Sequence, residues 1–118
     1  MKIEEKNEGK KINYSVTGTT IVFDETISIN LARYQKDQEN VIDVCLDSDM
    51  QLTTGLGKWY VANIVIPPRT YKMVDTGTKD DKENEIYERV AEPLNMDEVT
   101  LILWALPYNY SNLAGGAF

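Results

Sequence analysis

A chain of 118 residues, 42% apolar and 26% charged, has the composition of one globular domain able to bury its own core. Its formal charge of -7 repels phosphate backbones, so direct nucleic-acid binding is not expected. One cysteine and no histidine exclude an intrachain disulfide, an ordinary structural zinc site and every Ser/His or Cys/His nucleophile.

The first six residues, MKIEEK, lack the apolar core of a secretory signal, and a cytoplasmic origin is expected. Ile12, Tyr14 and Val16 alternate with Asn13 and Ser15. Ile21 and Phe23 carry the rhythm past Gly18. Ile27, Ile29 and Leu31 then alternate with Ser28 and Asn30. Period two predicts strands with one buried face each. A single helical turn fits residues 31–38. Residues 41–46 are apolar except Asp43, residues 59–66 except Asn63, and residues 99–106 except Thr100. Such runs predict strands that are central in a sheet or covered by a partner chain. The longest apolar stretches are strand-length, so no membrane contact is expected.

Residues 71–74 and 85–90 predict the two arms of a long hairpin, with residues 75–84 as a charged, mobile tip. A second helical turn fits residues 94–98. Beyond Pro107 the chain becomes small, polar and aromatic, which predicts an arm that packs on a neighbouring subunit. The expected fold is all-β, an antiparallel sandwich or barrel-like domain over residues 1–107 with a long hairpin, followed by a C-terminal arm over 108–118.

Sites of chemistry are sought and not found. The stretch from Asp47 begins like a calcium loop but has Leu52 where Gly is needed and Lys58 where Glu is needed. Gly57-Lys58 fails as a phosphate loop, with Leu52 in place of the first Gly and Trp59 in place of Ser or Thr. Asp43 is the one carboxylate inside an apolar strand, but its alternation with Ile42 and Val44 places it on the wet side. Asp80, Asp81, Glu83 and Glu85 sit at the hairpin tip, too mobile for preorganised catalysis. Cys45 reads as a small buried hydrophobe, with no adjacent cation to activate it. No catalytic residue, cofactor or metal ligand is expected, and the chain reads as no enzyme.

Three segments belong together: DETISINLA at 24–32, LTTGLGKWYVA at 52–62 running into IPPRTY at 66–71, and PLNMDEVTLILWALP at 93–107. In these the chain resembles small structural proteins of phages, prophages and phage-tail-like particles of Gram-positive bacteria. The resemblance covers about two-thirds of the chain and leaves residues 108–118 outside it. It implies a non-enzymatic component of a tail, baseplate, neck or capsid surface. Such a component assembles in the cytoplasm into a virion or tail particle, as a homo-oligomer contacting copies of itself and other particle proteins. Candidate interface residues are Tyr71, Met73, Ile86 and Tyr87 on the hairpin, Trp104 on the doubly apolar strand, and Tyr108, Tyr110, Leu113 and Phe118 on the arm. The alternative is a monomeric binding module, either carbohydrate-binding through a platform of Trp59, Tyr60 and Tyr71, or an acidic inhibitor of a host protein.

Overall fold

The computed structural model describes residues 1–110. Among the described residues ten strands form three sheets. β1 (Lys2–Glu5), β5 (Asn40–Leu46), β6 (Leu52–Thr54), β7 (Trp59–Ile66) and β10 (Thr100–Leu103) build a five-stranded sheet in the order β1-β10-β7-β5-β6. β2 (Tyr14–Thr17), β3 (Thr20–Phe23) and β4 (Ile27–Asn30) form an antiparallel three-stranded meander, and β8 (Tyr71–Lys79) pairs only with β9 (Glu85–Ala91). The fold is all-β and sandwich-like, and among the described residues no sheet closes into a barrel.

The alternating strands bury one face as their pattern demands. Ile21, Phe23 and Ile29 of the meander meet Val44, Ala62, Ile64, Ile66, Leu101 and Leu103 of the larger sheet in one apolar cluster. Val99 and Ile12, just outside strands, join it. Single 3-10 turns follow β4 at Leu31–Tyr34 and precede β10 at Met96–Glu98. Both are capped by asparagine: the Asn30 side chain accepts from the Ala32 N–H (3.2 Å) and that of Asn95 from the Asp97 N–H (3.0 Å). The β3–β4 turn places Asp24 and Glu25 at φ 49° and 56°, with the Thr26 N–H bonded to the Phe23 carbonyl. Phe23 opposes Ile27, so the loop holds three residues, and positive φ at both Asp24 and Glu25 matches the twist of the flanking strands.

Four expectations need correction. The large sheet is not purely antiparallel: β1 runs parallel to β10, so the N-terminal segment is a strand where none was predicted. The last apolar run yields a strand only over Thr100–Leu103. β6, three residues long, was missed because its Leu52-Thr53-Thr54 is too short to show a period. The segment read as a loose hairpin tip is largely structured, since β8 continues to Lys79. There Asp80 closes the turn, its carboxylate accepting from the backbone N–H groups of Lys82 (2.8 Å) and Asn84 (2.9 Å). These two N–H bonds hold the Asp80 carboxyl below its usual pKa.

Candidate interaction surface

Two surfaces stand out, and the first is the hairpin. Its register opposes Met73 to Arg89 and Asp75 to Tyr87, so Tyr71, Met73, Tyr87 and Arg89 share one face. Val74, Ile86 and Val90 lie on the other. Met73 is 63% exposed and Tyr87 55%, with Val74 and Ile86 exposed as well. The hairpin thus carries apolar side chains on both faces, and among the described residues no strand pairs with either of its edges.

Its base is fixed to the body. The Arg69 N–H donates to the Lys36 carbonyl (2.7 Å) and the Arg69 guanidinium to the Gln35 carbonyl (2.7 Å). Buried Gln35 donates in turn to the Pro67 carbonyl (3.3 Å). The Tyr71 hydroxyl donates to the Asp37 carboxylate, and the Arg89 guanidinium lies over the Tyr71 ring, 3.6 Å from its centre.

The second surface is the outer face of the five-stranded sheet, opposite the core. A bulge in β7 creates its centre. Val44 opposes Ala62 but Cys45 opposes Tyr60, so Val61 is the extra residue. The bulge keeps Val61 and Ala62 both buried and turns Tyr60 outward. There Tyr60 stacks on Trp104, ring centres 5.5 Å apart and planes 26° apart. The Trp104 indole N–H donates to the Asn63 side-chain oxygen (2.6 Å), and the Asn63 amide donates to an Asp43 carboxylate oxygen (2.8 Å). Strand register lines Val41 up with Val65 and Asp43 with Asn63 and Ile102 on this same face. Val41 is 49% exposed and Tyr60 46%; Val65, Ile102 and Trp104 are half-buried.

At one end of this face the loop after β6 crosses Cys45. A Cβ at Gly57 would collide with the Cys45 Cβ and come within 3.0 Å of the Leu46 carbonyl oxygen, so only glycine fits. Burial, and then the Asp43 carboxylate, push the Cys45 thiol above its ordinary pKa, while a Gly57 backbone hydrogen bond pulls it partly back. A thiol so placed is a poor nucleophile. An open cleft of about 370 Å³ flanks β5 beyond the end of β6, with Ile29, Tyr34, Lys36, Val41 and Asp43 among its walls. Among the described residues no three His, Cys, Asp or Glu side chains converge as a metal site. None of the described helices is long and apolar enough to cross a membrane.

Comparison of the chain with protein-family models, curated proteins and solved structures finds no match in any of the three.

The residues singled out from the sequence fall in four places. Met73, Ile86 and Tyr87 are exposed on the hairpin, and Tyr71 is half-buried at its base. Trp104 lies just past β10 on the outer sheet face, held by Asn63 and Tyr60. Tyr108 is fully exposed, whereas Tyr110 packs against the chain's own core and donates to the Asp24 carboxylate. Leu113 and Phe118 lie outside the described residues. Trp59, Tyr60 and Tyr71 do not form one platform. Trp59 and Tyr60 are consecutive in β7 and diverge, and Tyr71 follows the far end of that strand. Sequence reasoning missed Val41, Val65 and Ile102 as surface residues, because an unbroken apolar run does not say which face is covered.

Proposed function

We propose that the chain is a non-enzymatic assembly subunit of a phage virion or phage-tail-like particle, acting through contacts with its own copies and with other particle proteins. The hairpin carries this reading. A nine-residue arm extends about 30 Å, and the Cα trace measures 71 × 24 × 22 Å. A two-stranded ribbon is at best marginally stable in water without a surface to pack on. This one exposes Met73 and Tyr87 on one face and Val74 and Ile86 on the other. A neighbouring subunit supplies the missing cover. The resemblance to phage structural proteins supports the same reading and implies a virion or tail-particle component.

The test is the mass of the purified chain by light scattering over a concentration series, together with mass spectrometry of particles released from cells that carry its gene. A defined multimer, and the chain among the particle proteins at structural abundance, are the expected results. A monomer at every concentration and absence from the particles would overturn the reading.

A further inference from the structure

We infer that the hairpin of one copy docks on the outer face of the five-stranded sheet of the next, so that assembly is head-to-tail. This inference rests on the assembly reading above and names the surface that receives the hairpin.

Three observations point to that receptor. The first is polar satisfaction. A face can be covered by apolar side chains only if its own donors and acceptors already have partners. At the centre of this face the Trp104 indole N–H is taken by Asn63, and the Asn63 amide by Asp43. Covering Trp104, Val65 and Ile102 therefore strands no donor, and only the Tyr60 hydroxyl has to find its partner at the rim of the contact.

The second observation is charge. Asp43 is the one carboxylate at the centre of the face, and only one of its oxygens accepts from Asn63. The apolar hairpin face made by Met73 and Tyr87 carries one guanidinium, Arg89, directly opposite Met73. Of the two carboxylates on that hairpin face, Asp75 already accepts from the Gly77 N–H (2.8 Å) and Glu85 pairs with Lys79 (4.0 Å). Arg89 is thus suited to Asp43, whereas the acids on its own hairpin face already have partners within the hairpin.

The third is size. A ribbon about 30 Å long and ~10 Å wide presents on the order of 500 Å² of accessible surface on one face. Docking would then bury about 1,000 Å² over both partners, the lower bound for a specific interface. The receiving sheet, five strands at ~4.8 Å spacing, is wide enough to take it. The hairpin follows β7 through residues 67–70, and neither of its strands packs substantially on the five-stranded sheet of its own chain. Because donor and receptor are different patches, the contact is heterologous and closes into a ring or runs on as a filament.

The test uses two variants of the full chain, both altered at exposed positions. Met73→Asp with Tyr87→Asp disables the hairpin and leaves the sheet face intact. Val41→Asp with Tyr60→Asp disables the face and leaves the hairpin intact. Val41→Asp alone repeats the second test with less demand on the fold, and circular dichroism and thermal melting confirm that each variant is native. Each variant alone should be monomeric by light scattering, while an equimolar mixture should form a 1:1 complex and nothing larger, because one good hairpin then meets one good face. Face variants that assemble like the wild type would overturn the proposed receptor while leaving the assembly reading intact. A mixture that stays monomeric would show that the two patches do not meet and would overturn it equally. A wild-type chain that is itself monomeric throughout would sink the assembly reading and this inference together.

Discussion

Asn63 is the residue on which the outer sheet face turns. It accepts from Trp104 and donates to Asp43, joining three strands' worth of side chains. Asn63→Ala should leave the half-buried indole N–H without its partner, costing about 1 kcal/mol. Chemical denaturation would read that cost, and a red shift of Trp emission would show water reaching the ring. An unchanged midpoint and spectrum would mean that the hydrogen bonds contribute nothing. Tyr110 makes a comparable bond at the opposite side of the body, to the buried carboxylate of Asp24. Burial first, and then the Asp24 carboxylate, push the Tyr110 hydroxyl well above its ordinary pKa. Its contribution to stability is complete below the unfolded-state pKa of about 10. It is lost as pH rises from there toward the folded value, because the unfolded chain gives up the proton first. Tyr110→Phe should destabilise the fold at pH 7 by about 2 kcal/mol, the worth of a hydrogen bond to a charged group. It should also flatten the fall in stability above pH 10. Denaturant midpoints of the two chains between pH 7 and 11 decide this, and parallel curves would show that Tyr110 does not titrate with folding.

Much of the element inventory was legible in the sequence, for identifiable reasons. The meander announced itself by strict alternation, and β5, β7 and β10 by apolar runs bounded by turn residues. β1 was illegible because Lys2-Ile3-Glu4-Glu5 has one apolar residue and no period. Backbone bonds to β10 hold it, and such parallel pairing of distant segments leaves no local trace. The hairpin half of the candidate surface was legible, since Met73 and Tyr87 sit in charged surroundings. The receiving half was not, because the bulge that turns Tyr60 outward depends on the β5–β7 register. The hairpin is also the element most separable from the rest. Tyr71 and Ala91 are register partners, so replacing residues 72–90 with a two-residue Asn-Gly turn suits the geometry. None of the buried core residues lies in the excised stretch. The shortened chain should melt within about 4 °C of the full one, a change equivalent to under ~1 kcal/mol, and should no longer assemble. A large fall in melting temperature would assign the hairpin a share in the core, and retained assembly would remove it as the contact.

At the scale of the whole molecule the question is where the hairpin rests when no partner is present. A compact chain of this length has a radius of gyration of about 13 Å; the Cα trace here has 19.5 Å. The excess comes from the projecting arm. Two apolar surfaces on one chain, the hairpin and the outer sheet face, could satisfy each other only if the arm folded back through a sharp bend at its base. That bend is resisted. Pro67 and Pro68 restrict the backbone leading into the arm, and Gln35, Arg69, Tyr71 and Asp37 tie its root to the body from two directions. Small-angle scattering of the wild-type chain, with hairpin and sheet face both intact and diluted until it is monomeric, should therefore give a radius of gyration near 19.5 Å and a longest dimension near 71 Å. A radius near the compact value would mean that the arm has closed onto its own sheet. The two surfaces would then be partners within one molecule, and no second copy would be required to cover either.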